Sequence, residues 1–156
     1  MAKITFDSTR FGKLEIEESA VLQMPAGILG FQNSDRYVML DHEPDSPFKW
    51  LHSVDESDVA FVVTDPHIFF PDYDVKIKKD ELVGLDVGDS DELVLLVILS
   101  LKSDPTLMTA NLQGPIVINI TNRKGRQVVL KSEKYTTRHR LFPEADTQQE
   151  NSPNNP

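Results

Sequence analysis

The residues best suited to chemistry in this 156-residue sequence are four histidines, twenty-five carboxylates and a basic stretch over 122–142. His42, His52, His67 and His139 include no pair at the i, i+4 spacing that two zinc ligands on one helix face need. There is no cysteine to share a metal or to act as a thiolate nucleophile. His52 lies in the strand-like run Trp50-Leu51-His52-Ser53 with Asp55 close by, the residue types of a Ser–His–Asp system. Such a system also needs a nucleophile elbow and an oxyanion-binding loop, and neither is present. A structural histidine is the favoured reading.

The carboxylates suggest cation sites, and the spacing argues against them. Asp86-Val87-Gly88-Asp89-Ser90-Asp91-Glu92 has the look of a calcium loop. Its twelfth position, where a bidentate glutamate belongs, is Val97 inside an apolar run. Asp72-Tyr73-Asp74 reads as a solvated turn before a strand. No glycine-rich phosphate loop occurs, and Asn119-Ile120-Thr121 fits a glycosylation acceptor only by coincidence, because it lies in a strand. In the basic stretch Tyr135 and Phe142 interleave with cations, a pattern that single-stranded nucleic-acid binders use for stacking.

Charge weighs against that use. The chain carries a net −9, which repels phosphate and anionic membrane alike. Residues 1–121 sum to −12, residues 122–142 to +6, and 143–156 to −3. The last segment has three prolines, three asparagines and no aliphatic residue larger than Ala145, so it is expected to be a disordered acidic tail following a folded domain over 1–142. The longest apolar run, Leu93–Leu101, is far shorter than the ~20 residues of a membrane span. The N-terminal residues already alternate like a strand, so a cytoplasmic protein is expected.

Positioning falls to strands. Ile4/Phe6, Leu14/Ile16, Phe61/Val63, Val75/Ile77, Ile116/Ile118/Ile120 and Val128/Leu130 are each spaced by two, the period of a half-buried strand. Leu93–Leu101 lacks alternation and predicts a central strand buried on both faces. Turn signals separate the runs, among them Pro25-Ala26-Gly27, Asp65-Pro66, Asp104-Pro105 and Asn122-Arg123-Lys124-Gly125, with Gly125 placed to take a positive φ in a hairpin. Only Lys78–Leu85 suits a helix. These features predict an all-β chain: a small closed or nearly closed antiparallel β-barrel with one or two short helical turns. Exposed aromatic and apolar side chains in Phe69-Phe70-Pro71-Asp72-Tyr73 and in the glycine-broken loop Pro25–Phe31 suit core packing or protein contacts.

Read in order, the words Arg10-Phe11-Gly12-Lys13-Leu14-Glu15-Ile16, Pro25-Ala26-Gly27-Ile28-Leu29-Gly30-Phe31, Pro47-Phe48-Lys49-Trp50-Leu51-His52-Ser53, Phe70-Pro71-Asp72-Tyr73, Thr109–Asn119 and Arg126-Gln127-Val128-Val129-Leu130 resemble the flagellar assembly factor FliW family from about Ile4 to Leu141. The family usually has an acidic residue where Ala26 stands, proline at Leu29, glutamine at His52 and alanine at Gly114. The resemblance implies a bacterial, cytoplasmic, non-enzymatic β-barrel protein without cofactor or metal. It implies a monomer forming hetero-complexes with two partners, flagellin and the RNA-binding translational repressor CsrA. Antagonism of CsrA would relieve repression of flagellin messenger RNA without direct contact to nucleic acid. On this reading Asp55, Glu56 and Asp58 supply part of an acidic field for CsrA. Ile28, Leu29 and Phe31, with Phe69, Phe70 and Tyr73, supply apolar surface for flagellin, and Asn111 joins the partner-binding candidates. The readings from other classes are a small β-barrel RNA binder using 123–140 and a metal-dependent β-barrel hydrolase.

Overall fold

The computed structural model describes residues 2–41, 43–88 and 90–142. The tail expected over 143–156 lies outside them, as does Asp89 of the acidic turn. Among the described residues eleven strands are formed: β1 Lys3–Ser8, β2 Gly12–Glu17, β3 Leu22–Gln23, β4 Arg36–Asp41, β5 Phe48–Ser53, β6 Ala60–Thr64, β7 Leu93–Ser100, β8 Thr109–Ala110, β9 Ile116–Asn119, β10 Lys124–Gln127 and β11 His139–Arg140. The all-β expectation holds.

Pairing runs from β3 through β4, β5, β6, β7 and β9 to β10, and β10 returns to β3, so these seven strands close into a ring. The ring is antiparallel except at its closure, where Gln23 and Lys124 pair in parallel and the Gln23 N–H reaches the Arg123 carbonyl at 2.8 Å. β7 is the shared strand. Leu93–Leu96 pair with β9, Val97–Ile98 with β6, and Leu99–Ser100 with β8.

The missing alternation in β7 has a direct cause. Val94, Leu96 and Ile98 face the ring interior with Leu22, Met24, Ile28, Tyr37, Leu51, Val63, Ile116 and Ile118. Leu95, Val97 and Leu99 face outward into a second core with Trp50, Val62 and Val117. That outer core is roofed by two irregular stretches carrying Tyr73, Leu85, Val128, Leu130, Tyr135 and Leu141. Each side of the strand therefore meets apolar side chains, and a continuous hydrophobic run results. A third, smaller core lies under the β1–β2 hairpin, where Phe6 packs with Val38 and Val54.

Several local expectations are corrected. Val75 and Ile77 are partly buried against the outer core but form no strand; the Asp74 N–H is taken by the Tyr135 hydroxyl at 3.0 Å instead of by a ladder carbonyl. Val128 and Leu130 lie beyond β10, yet their N–H groups bond to Pro115 and Gln113 carbonyls and prolong its pairing. In the β9–β10 turn Arg123 takes the positive φ (59°), while Gly125 sits inside β10 opposite Ile118. A Cβ at Gly125 would meet Ile118 and the Val117 carbonyl at 3.3 Å, so the glycine is there for close approach.

Helical turns number four among the described residues. The expected Lys78–Leu85 helix is a 3₁₀ turn over Lys79–Leu82, alongside 3₁₀ turns at Glu18–Ala20 and Pro105–Leu107 and the single α-turn α1, Pro66–Phe69. Both Asp-Pro pairs are helix starts. Asp65 and Asp104 accept the N–H two residues on at 2.9 and 3.0 Å, and the following proline occupies the first helical position.

Candidate functional site

Among the described residues, none of the enzyme-like constellations assembles. His52 is 1% exposed, and both ring nitrogens are engaged: Nδ1 contacts the Ser53 carbonyl at 2.6 Å and Nε2 the Ser8 hydroxyl at 2.8 Å. A carbonyl only accepts, so Nδ1 carries the proton and Nε2 accepts from Ser8. Ser8 in turn accepts the Arg10 and Phe11 N–H groups, so the histidine ties the β1–β2 turn to β5. Among the described residues no group of three or more His, Asp or Glu side chains is gathered to hold a metal. Asn119 is fully buried, and its amide donates to the Leu85 carbonyl and to Asp91, which makes the glycosylation match a coincidence.

The loop over 25–31 is built to present apolar side chains. Gly27 takes φ +68° and its N–H bonds to the Met24 carbonyl at 2.8 Å. Ile28 then plugs into the ring interior at 2% exposure, and the Phe31 N–H closes a tight turn on its carbonyl at 2.6 Å. That reversal forces Leu29 and Phe31 outward, to 59% and 42% exposure. Phe31 rests edge-on against Phe61 with ring centres 5.0 Å apart. The loop is pinned from across the fold: the Leu29 N–H donates to Gln127 Oε1 at 2.9 Å. Gln127 Nε2 donates to the Gly114 carbonyl at 3.0 Å, and the Gly114 N–H donates to Asn111 Oδ1 at 2.9 Å. Between loop and strand lies a groove of about 400 Å³, with Leu29 on one wall and Val129 on the other.

The expected site residues thus fall into groups. Leu29 and Phe31 are surface, while Ile28 is interior and acts by fixing the loop. Asn111 contributes through the Gly114–Gln127–Leu29 chain. Sequence reasoning missed Gln127 and Val129. The signal for Val129 was an apolar residue at the outward position between buried Val128 and Leu130.

The aromatic segment is mostly roof. Tyr73 is 5% exposed and its hydroxyl donates to the Leu112 carbonyl at 2.6 Å, so it belongs to the outer core. Phe69 stacks on Phe48 with centres 5.7 Å apart, and Phe142 meets Phe69 edge-on at 6.0 Å. Phe70 lies edge-on to His139. Exposed apolar surface here comes from Ile68 and Phe142.

The acidic trio is partly compensated. Asp55 is forked by the Arg36 guanidinium at 2.5–3.3 Å, and this bond holds Arg36 above its ordinary value. Glu56 accepts the Ser34 hydroxyl at 2.5 Å, and Ser53 Oγ accepts the N–H groups of Asp55 and Glu56. Asp58 is exposed beside a cleft where the Arg10 guanidinium sits 4.5 Å above Trp50. Under this surface the buried Tyr37 hydroxyl is pushed up to about 12 by desolvation, with the Glu56, Asp35 and Asp55 charges adding.

The basic stretch forms no continuous face. Lys124 pairs with Asp86, Arg126 reaches the Val83 carbonyl at 3.5 Å, Arg140 reaches the Thr106 carbonyl at 2.9 Å, and only 124–127 and 139–140 are strand.

Comparison with known proteins is consistent across sequence and structure. Residues 5–141 match the FliW protein family model. The chain is 42% identical to the flagellar assembly factor FliW of Syntrophus aciditrophicus (strain SB) over 135 residues, covering 86% of this chain and 85% of that protein. To the namesake in Geobacter sulfurreducens (strain ATCC 51573 / DSM 12127 / PCA) it is 42% identical over 138 residues, 88% and 86% of the two chains. A solved crystal structure of the flagellar assembly factor FliW superposes with a TM-score of 0.81 at 38% identity, covering 92% of this chain and 99% of that one.

Proposed function

The chain belongs to the FliW family and has a role in flagellar assembly, and from that premise we propose that it acts by binding flagellin and, alternatively, the translational repressor CsrA, in the cytoplasm and without catalysis. The observation that carries the flagellin half is the groove with apolar walls at Leu29 and Val129, which Gln32, Glu81 and Arg126 also line. Its two walls are exposed side chains on backbone pinned by Gln127, and pre-ordered walls reduce the entropy lost on docking. An amphipathic helix of flagellin suits such a groove, laying apolar side chains at i, i+3 and i+4 against it. CsrA is assigned to the acidic surface carrying Asp55, Glu56 and Asp58. A partner that grips RNA is basic, and an acidic surface speeds its association and lowers its affinity for phosphate once docked.

Calorimetric titration with flagellin and CsrA, singly and in competition, tests the reading. Leu29→Lys with Val129→Lys should abolish flagellin binding and leave the fold intact, since both side chains are exposed. Glu56→Lys with Asp58→Lys should weaken CsrA binding at low salt and flatten its salt dependence. Failure of the unaltered chain to bind either protein overturns the function; undiminished flagellin binding by the lysine variant overturns the groove assignment alone.

A further inference from the structure

A second groove, of about 450 Å³, runs between residues 74–81 and 130–135. Its floor is apolar, made by Val75, Leu130 and Tyr135, and four exposed lysines rim it: Lys76, Lys78, Lys131 and Lys134. Asp74, Asp80 and Glu81 also line it. Among the described residues none of these four lysines is in an ion pair; Lys134 lies over the Tyr135 ring at 5.5 Å. The wall over 130–138 also carries Arg138 against Glu133, so this wall is positive on a chain whose first 121 residues sum to −12.

We propose that this groove is the docking site of the chain's own segment 143–156, through Glu144, Asp146 and Glu150. Three facts select that occupant. The segment has three carboxylates and no lysine or arginine, so the acidic body repels it and the lysine-rimmed groove attracts it. It begins after Phe142, which packs on Phe69 and lies three residues beyond His139, whose ring is 6.0 Å from that of Tyr135 on the groove floor. Eight residues from Phe142 to Glu150 reach about 27 Å when extended, enough to lie along the rim. Individual exposed ion pairs are weak. Here the segment is tethered, and a short tether supplies an effective concentration in the millimolar range, so a weak contact is populated. Occupied in this way, the groove is closed to other polyanions, which gives the basic stretch a purpose that does not involve binding RNA.

The sequence has no cysteine, so Gln148→Cys gives a single attachment point for a nitroxide on the full-length chain. Amide signals of 76–78 and 131–134 should broaden at low salt. They should recover near 1 M salt, where the screening length falls to about 3 Å. They should also recover when Glu144→Gln, Asp146→Asn and Glu150→Gln are added. Broadening spread evenly about Phe142, as strong at Ile68 and Thr106 as at Lys76 and Lys78, would overturn the proposal. So would broadening that salt and the neutralised segment leave unchanged. Mixing isotope-labelled, unspin-labelled chain with spin-labelled, unlabelled chain isolates contact between copies; broadening confined to that mixture makes the occupant a second molecule and also overturns it.

Discussion

Gln127 holds Leu29 across ninety-eight residues of chain, its Oε1 accepting the Leu29 N–H at 2.9 Å while its Nε2 donates to the Gly114 carbonyl at 3.0 Å. One carboxamide therefore joins the 25–31 loop, β10 and the Asn111 turn. Gln127→Ala should lower the unfolding free energy by about 1 kcal/mol, because two hydrogen bonds with access to water are lost. The denaturant midpoint should fall with its slope unchanged. Hydrogen exchange should show the Leu29 amide losing protection while the Phe31 amide, bonded to the Ile28 carbonyl, keeps it. Equal loss at both amides would mean that Gln127 stabilises the barrel generally and does not position the loop.

How much of this was legible in the sequence depends on which partner satisfied each residue. Leu93–Leu101 announced a doubly buried strand because both of its faces pack on apolar cores, and a local pattern reports that directly. Val75 and Ile77 are spaced by two as in a half-buried strand yet form none, since Tyr135, sixty-one residues from Asp74, took the backbone N–H that a ladder needs. Leu29 was legible as an apolar residue in a glycine-broken loop. Its neighbour Ile28 was not separable from it, because only the turn closed by Phe31 decides which of the two points inward. Gln127 was hidden for the same reason: its partners lie far away in sequence.

The Arg36–Asp55 pair sets the sign of a test on the acidic surface. Arg36 partly cancels Asp55, Glu56 and Asp58, so Arg36→Ala should strengthen association with a basic partner at low salt, whereas Asp55→Ala should weaken it. With side chains 44% and 30% exposed, the coupling between them in a double-mutant cycle should be about 0.2–1 kcal/mol. Stopped-flow association rates against salt concentration provide the measurement. Rates that fall in both variants would show that the geometry of the pair matters more than the field.

His139 gives the fold a pH dependence of known sign. Burial lowers its pKa below the ordinary 6.5, and its Nε2 accepts the Thr136 N–H at 2.8 Å, which only the neutral ring can do. The unfolded chain therefore takes up a proton at higher pH than the folded one. This contribution is full above 6.5 and is lost as pH falls from 6.5 toward the lower folded value. Asp91 and Asp104 are also lowered. For Asp91 the Gly88 N–H comes first and the Asn119 amide second; for Asp104 the Thr106 hydroxyl comes first and its N–H second. Their contributions vanish only in the carboxylate range, below about 4. Urea titrations from pH 7.5 to 3 on His139→Gln should show the first loss removed and the acid limb kept. A variant with an unchanged profile between 7 and 5 would assign that slope to other groups.

Two glycines with left-handed backbone separate crowding from conformation. Gly12 has φ +76° and open space where a Cβ would stand, so Gly12→Ala should cost only the left-handed penalty, about 1–2 kcal/mol. Gly27 has a similar φ of +68°, but a Cβ there would stand 2.8 Å from Gln32 Cα, 3.2 Å from the Phe31 carbonyl and 3.3 Å from the Ser34 carbonyl. All three are backbone atoms at the end of the 25–31 loop or just beyond it, and none can rotate away. Gly27→Ala should add about 1–3 kcal/mol of overpacking to the same conformational penalty. It should also release Ile28 from the ring interior, since relief comes only by opening the 25–31 turn. Chemical denaturation of both variants, with near-ultraviolet dichroism of the Phe31–Phe61 contact, tests this. Equal costs at the two positions would mean that the loop yields easily, and the groove beside Leu29 would then be a flexible surface instead of a pre-formed one.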